Sequence, residues 1–296
     1  MSEVIRCEAL TRRYGATLAL DHLDLSVGRG EVVGLIGRNG SGKTTLLDHV
    51  TGLRLPTSGS CATFGRPTPE LGADELARLG AVPQEGRLLG WMSVEQHLRY
   101  VEAFYPRWDR EREARLVDEL ELSRKQTILK MSPGNVQKLA LILAVCHHPE
   151  LLLLDEPLAS IDPIARESLL RFLLELVRED GTTVVASSHV LRDVERIVGR
   201  VVCLEGGRLV VDAELDELLE GFGEWELVAS EGELPGRFEE SFVLAQRLEG
   251  SRARLVVRAS AGEERDFAAR HRLEVRRHPM NLEAIFPHLV GRGGER

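Results

Sequence analysis

The chain has 296 residues, 43% of them hydrophobic and 29% charged, and its formal net charge is −9 at pH 7. Such a composition is typical of a soluble globular protein with a sizeable core, and the acidic balance argues against non-specific binding to nucleic acid. The longest purely apolar run, residues 139–146, is too short to span a membrane, and residues 1–10 contain no apolar signal segment. We therefore expect a cytosolic protein, whose scattered cysteines are reduced thiols.

Apolar runs and amphipathic segments alternate through about the first 210 residues. Runs without polar alternation predict strands that are buried on both faces, at residues 31–36, 151–154, 182–187 and 200–204. Residues 163–178 have apolar side chains at helical spacing. This alternation predicts an α/β fold with a mostly parallel core sheet.

A glycine-rich loop follows the first of these runs. Residues 37–44 read GRNGSGKT, which fits the phosphate-loop pattern, and a helical segment follows. The glycines let the backbone turn its N–H groups towards phosphate oxygens, Lys43 would reach the β- and γ-phosphates, and the Thr44 hydroxyl would bind Mg²⁺. The alternative is an ordinary glycine turn before a helix. The residues assigned to ATP binding here are Gly37, Arg38, Asn39, Gly40, Ser41, Gly42, Lys43, Thr44 and Thr45.

Two acidic residues follow the apolar run at residues 151–154. Asp155 would hold Mg²⁺ through a water molecule, and Glu156 would orient or deprotonate the water that attacks ATP. The alternative is a strand that ends in acidic residues before a turn. A phosphate loop earlier in the chain favours the catalytic interpretation.

From about residue 4 to residue 220 the chain resembles the nucleotide-binding subunits of ATP-binding cassette (ABC) transporters. The resemblance implies a P-loop NTPase core with a mostly parallel sheet, spanning residues 1–220, and a helical subdomain inserted at about residues 90–148. Residues 221–296 would form a small α+β accessory domain, because their alternating segments lie beyond the motifs of the family.

The resemblance also implies roles for isolated residues. Tyr14 would stack on adenine, Gln84 would contact the metal ion and the attacking water, and His189 would contact the γ-phosphate. Asp162 lies in a loop that crosses a dimer interface in the family. The alternatives are a packing tyrosine, a structural histidine and, for Asp162, an N-cap before Pro163.

The signature segment departs from the family pattern LSGGQ, because residues 131–135 read MSPGN. Ser132 and Gly134 are retained, and the resemblance implies that they bind the γ-phosphate of an ATP held by the other subunit. Pro133 suits the first position of a helix, where its missing N–H costs little. Loss of one charge-assisted donor would cost on the order of 1.5–3 kcal/mol, so we expect ATP hydrolysis that is present but slowed if a contact is lost.

These motifs imply an ATPase subunit that uses ATP and Mg²⁺ to energise a separate membrane permease. The short helical insertion and the ending NLEAIFPHL are similar to ATPases of bacterial exporters, which favours export. Two copies would pair head to tail as a homodimer at the inner face of the cell membrane, without nucleic acid. Two alternatives stay open: a nucleotide-gated regulatory ABC protein with weak hydrolysis, and a soluble ABC ATPase that acts on ribosomes or DNA.

Overall fold

The computed structural model describes residues 3–84, 88–158, 161–188, 190–229 and 234–290, which fall into two compact units. The first unit ends at Asp212 and the second begins at Ala213, whereas the sequence predicted this boundary after residue 220. The difference arises because a short helix after residue 214 continues directly into the first strand of the second unit.

The first unit contains two sheets and the helices around them. Its strands are β1 (Glu3–Tyr14), β2 (Thr17–Gly28), β3 (Val32–Gly37), β4 (Ser58–Thr63), β5 (Arg66–Pro67), β6 (Leu79–Val82), β7 (Leu151–Asp155), β8 (Thr183–Ser188), β9 (Arg200–Glu205) and β10 (Arg208–Glu214). Its helices are α1 (Lys43–Val50), α2 (Ala73–Leu76), α3 (Val94–Glu102), α4 (Arg110–Glu119), α5 (Pro133–Val145), α6 (Pro163–Asp180) and α7 (Leu191–Glu195).

The core sheet has the strand order β10-β9-β3-β8-β7-β6, and β9, β3, β8, β7 and β6 run parallel. The predicted α/β fold with a mostly parallel sheet is therefore confirmed. The carboxyl ends of parallel strands lie at the same edge of a sheet, which is where ligands bind in such folds. The phosphate loop after β3 and the acidic pair at the end of β7 accordingly lie at one edge.

The second sheet, in the order β2-β1-β4-β5, was not predicted from the sequence. It is antiparallel, and β1 and β2 form a long hairpin that brings Tyr14 opposite Thr17 at its tip. Cys7 and Cys61 face each other across β1 and β4, with sulfur atoms 3.4 Å apart, and both are buried.

The region predicted to be a helical insertion contains α3, α4 and α5. Ser93 caps α3 in a capping box with Gln96, and Asp109 caps α4. Helix α5 is buried almost all round from its fifth residue onwards, because the other helices and the core sheet surround it. In the described part of the chain, no helix is long and apolar enough to cross a membrane.

The second unit contains α8 (Leu215–Gly221), β11 (Phe222–Ala229), β12 (Val243–Glu249), β13 (Arg252–Arg258), α9 (Ala261–His271), β14 (Leu273–His278) and α10 (Leu282–Val290). Its antiparallel sheet has the order β12-β13-β11-β14. Trp225 is fully buried between Phe242 and Phe267, with ring centroids 5.5 Å and 5.2 Å away. The unit is therefore an α+β structure with an aromatic core of its own.

Candidate active site

The phosphate loop connects the end of β3 to the start of α1. Gly40 and Gly42 adopt φ values of 80° and 109°, in the region that favours glycine. A Cβ atom at Gly42 would lie 2.5 Å from the carbonyl oxygen of Ala19, so no other residue fits there without a shift. The backbone of this loop therefore requires glycine, as a phosphate cradle does.

Lys43 lies inside the loop and is buried. Its Nζ donates to the carbonyl oxygen of Gly37 at 2.8 Å and to that of Arg38 at 3.3 Å. Glu156 Oε1 lies 3.9 Å from the same Nζ, and both side chains are 7% exposed. The ammonium group thus contacts two neutral carbonyl oxygens and lies at a longer distance from one carboxylate. Phosphate oxygens could take the place of the carbonyl oxygens and form stronger, charge-assisted hydrogen bonds with it.

The Thr44 hydroxyl joins the loop to the end of β7. Thr44 Oγ1 donates to Asp155 Oδ2 at 2.7 Å. Hydroxyl and carboxylate oxygens are the ligand types that Mg²⁺ prefers. These two oxygens are close enough together to bind the same ion. The residues present therefore fit a magnesium ion bound beside the phosphate loop.

Ser187 supports the acidic pair from the neighbouring strand, and sequence reasoning missed it. In β8 it lies directly beside Asp155 in the parallel register. Its Oγ donates to Asp155 Oδ1 at 2.6 Å and accepts from the Glu156 amide at 3.0 Å. Both oxygens of Asp155 are thereby fixed, and the backbone that carries Glu156 is tied to the same hydroxyl.

Glu156 adopts φ 51°, in the left-handed region that non-glycine residues rarely occupy. It lies immediately after β7 and is buried. Strained backbone at such a position is typical of residues held for function, because the surrounding structure must maintain it. The carboxylate lies on the Lys43 side of the site, 3.9 Å from the Lys43 ammonium.

Gln84 follows β6 and is exposed. With Thr44 and Asp155 it lines a cavity of 520 Å³, whose wall continues along α1 to Leu53. The structure thus brings Gln84 to the same cavity as the two candidate magnesium ligands. His189, the other residue expected at this edge, lies outside the described residues.

Tyr14 stands at the tip of the β1–β2 hairpin and is 38% exposed. The guanidinium carbons of Arg12 and Arg54 lie 4.5 Å and 5.8 Å from its ring centroid. Arg12 Nη1 also donates to the carbonyl oxygen of Leu55 at 2.8 Å. Sequence reasoning missed both arginines, and the stacking of Tyr14 on adenine stays a prediction.

Two helices of the first unit begin with a capping side chain followed by proline. Ser132 Oγ accepts from the Asn135 amide at 3.3 Å at the start of α5. Asp162 Oδ1 accepts from the Ala165 amide at 3.0 Å at the start of α6, so the predicted N-cap is confirmed. That hydrogen bond holds the pKa of the Asp162 carboxyl below its ordinary value, and the Lys138 ammonium adds to the effect.

Within the described ranges, no hydrogen bond or ion pair joins Ser132 or Asp162 to residues 37–45. Gly134 is the second helical residue of α5, so its N–H has no acceptor within the helix. This N–H and the Ser132 hydroxyl are therefore available at a helix N-terminus, which favours anions.

The ABC transporter family model matches residues 20–159. The bacitracin transport ATP-binding protein BcrA of Enterococcus faecalis is 31% identical to this chain over 305 residues, covering 99% of this chain and 98% of that protein. This chain belongs to the ABC transporter family. The Nod factor export ATP-binding protein I of Cupriavidus pinatubonensis is another relative, 29% identical over 99% of this chain and 92% of its own length.

A solved ABC structure extends the comparison to a nucleotide-bound state. It is a dimeric ATP-binding cassette bound to ADP and Pi after hydrolysis, with a TM-score of 0.64 and 25% identity. The match covers 71% of this chain and 98% of that one. This ABC protein is accordingly an ATP-binding subunit that binds nucleotide and hydrolyses ATP.

Proposed function

We propose that this ABC ATPase energises a separate membrane permease for export, from the cytoplasmic face of the membrane. The relatives that match almost the whole chain are named as a bacitracin transport protein and a Nod factor export protein. The similarity covers the second unit as well as the ATPase unit, because each match includes 99% of this chain. This supports the same kind of role without identifying the cargo.

The catalytic proposal depends mainly on the hydrogen bond between Thr44 and Asp155, at 2.7 Å. It brings the phosphate loop and the acidic strand end to one place. Mg²⁺ would be held by Thr44 and Asp155, with Gln84 at the open side, and would screen the phosphate charge. Lys43 would bind the β- and γ-phosphates, and Glu156 would orient and deprotonate the attacking water.

The complete site would form between two copies of the chain. Ser132 and Gly134 of one copy would bind the γ-phosphate of the ATP held by the other, and Asp162 would lie at the same interface. Two observations support this: among the described residues no hydrogen bond or ion pair joins Ser132 to residues 37–45 of the same chain, and a related cassette is dimeric with ADP and Pi. ATP would then act as the contact that closes the dimer.

The permease would dock beside Gln84. Leu53 and Leu55 are 77% and 59% exposed, and Leu53 lines the 520 Å³ cavity that Gln84 and Thr44 share. Exposed leucines beside a cavity suit an apolar helix of a partner protein. A helix bound there would be adjacent to the metal site, so movement of Gln84 on hydrolysis would reach the permease.

Substitution of Glu156 by Gln tests the proposed function. The variant should bind ATP, lose about 10²- to 10⁴-fold in turnover because the base is removed, and accumulate as an ATP-dependent dimer. Glu167→Gln is the matched control, since Glu167 pairs with Arg196 on the surface of α6. Hydrolysis at the parent rate, or a monomer with ATP bound, would contradict the role of Glu156.

Pro133 favours a second candidate, a regulatory ABC protein that closes on ATP but hydrolyses it slowly. Proline stiffens the start of α5, where the ABC family has glycine. Phosphate release by the unmodified protein, measured with its co-purified permease, separates the two. Dimerisation with ATP and no phosphate release would support the regulatory role over the energising one.

A further inference from the structure

The starts of α5 and α6 are joined by a buried cation. Lys138 Nζ lies 3.3 Å from Asp162 Oδ2, and the Lys138 side chain is only 9% exposed. The other oxygen of Asp162 accepts from the Ala165 amide, so the carboxylate is fixed in orientation. One ion pair therefore connects the signature helix to the helix that follows the acidic strand end.

The Lys138 side chain is largely buried and the Asp162 side chain is 54% exposed, so the ion pair is partly solvated and its loss costs less than that of a fully buried pair. Asp162 is the only carboxylate found within 4 Å of Lys138 Nζ in the part of the chain that the structure describes. If α5 shifted away from α6, Lys138 would lose this partner while still surrounded by protein. The pair therefore resists changes in the spacing of the two helix starts.

Both helix starts are also rigid. In each, a capping side chain is followed by proline, as Ser132-Pro133 and as Asp162-Pro163. Proline restricts the backbone at the first helical position. Lys138 thus connects two proline-containing segments, and one of them carries the Ser132 hydroxyl and the Gly134 N–H of the signature.

We propose that Lys138 is a positioning residue, which holds Ser132 and Gly134 at a set distance from Asp162 so that both segments meet the partner copy together. This inference rests on the proposed two-copy site. Lys138 lies in α5 and outside the phosphate loop, so its loss would weaken closure of the dimer and leave ATP binding by the single copy intact.

Lys138→Met, made in the Glu156→Gln chain, tests this directly. Methionine keeps the length and packing of the side chain and removes its charge. The dissociation constant of the ATP-dependent dimer, measured by sedimentation, should rise roughly tenfold, whereas affinity for a fluorescent ATP analogue should change by less than about twofold. Lys138→Arg should restore the dimer, and Lys125→Met, at an exposed lysine of the same insertion, should have no effect.

Asp162→Asn supplies the second arm of a double-mutant cycle, because Asp162 itself lies at the proposed interface and only its coupling to Lys138 reports the ion pair. Asparagine caps helices as well as aspartate does, so the variant removes the charge and keeps the cap. The double variant Lys138→Met/Asp162→Asn should be no worse than the more damaging single variant. Additive losses, or a Lys138→Met dimer as tight as the parent, would overturn the proposal, and Lys138→Gln takes the place of Lys138→Met if that variant does not fold.

A separate measurement distinguishes failure of this inference from failure of the proposed function. If the Glu156→Gln chain does not dimerise with ATP, the two-copy site is wrong. Hydrogen exchange of the hydrogen-bonded amides near the helix starts, Asn135 and Val136 in α5 and Ala165 and Arg166 in α6, still tests the ion pair in the single copy. Lys138→Met should accelerate exchange there roughly tenfold and Lys138→Arg should not, and unchanged exchange would overturn the positioning role.

Discussion

Gly42 leaves no room for a side chain in the phosphate loop. Its φ is 109°, and an added Cβ would lie 2.5 Å from the Ala19 carbonyl oxygen and 2.9 Å from Leu20 Cδ2. Gly40, two residues earlier, has φ 80° but no atom within 4 Å of the added Cβ. The two glycines therefore separate the cost of an unfavourable backbone angle from the cost of a clash.

We expect Gly42→Ala to destabilise the first unit more than Gly40→Ala. Both substitutions incur about 1–2 kcal/mol for a left-handed alanine, and Gly42→Ala adds roughly 1–3 kcal/mol from the clash. The free energy of unfolding in urea measures the difference between the two variants. Equal losses would mean that the strand carrying Ala19 moves aside without cost.

His147 makes stability depend on pH. Its ring is buried and stacked on Tyr105 at 4.0 Å, and burial lowers its pKa to about 4. In the unfolded chain the imidazole has a pKa near 6.5. The free energy of unfolding is therefore unaffected by this group above that pH, and it falls as pH decreases towards 4, because the unfolded chain takes up the proton more readily. The whole effect is about 3 kcal/mol.

His147→Phe should flatten this profile because phenylalanine keeps the stacking and cannot be protonated. The free energy of unfolding of the parent should fall relative to the variant by about 3 kcal/mol between pH 7 and pH 4. At pH 8 the imidazole is neutral in both states, so the difference measured there reports packing together with the lost contact between His147 Nε2 and the Leu79 carbonyl oxygen. Parallel profiles down to pH 4 would show that His147 keeps an ordinary pKa in the folded protein.

At the scale of elements, α5 combines a helix start with the proposed γ-phosphate contact. Ser132 caps the helix and Pro133 occupies its first position. Ser132→Ala should cost about 1 kcal/mol through the lost cap, and Pro133→Gly about 0.4–1 kcal/mol through the unfolded state. The two variants are therefore matched in stability but differ in chemistry.

Turnover of ATP by the permease-bound protein should distinguish them. Ser132→Ala removes a donor to the γ-phosphate and should slow hydrolysis roughly tenfold or more, whereas Pro133→Gly keeps both donors and should change it less than tenfold. If Pro133→Gly instead raised ATP turnover more than tenfold, proline itself would be restraining closure of the dimer, as the regulatory candidate requires.

Across the whole molecule, burial explains why some strands could be predicted from the sequence and others could not. Strands β3, β7, β8 and β9 are buried on both faces and form continuous apolar runs, so they and the motifs at their ends could be predicted. Strand β1 has charged residues on its exposed face and several register shifts, which break the alternation. Ser187 and Lys138 could not be predicted, because their partners are set by strand register and helix packing.

The net charge of −9 applies to every copy, so two copies that approach each other repel at long range. The Debye length falls from about 30 Å at 0.01 M salt to about 10 Å at 0.1 M, which screens this repulsion before it weakens close contacts. The ATP-dependent dimer of the Glu156→Gln chain should therefore tighten roughly two- to tenfold over that range of NaCl.

Sedimentation at fixed Mg²⁺ and saturating ATP measures the change, and ATP affinity of the single copy at each salt concentration is the control. A dimer that loosens instead would mean that attraction between opposite charges at the interface outweighs the repulsion of the whole chains.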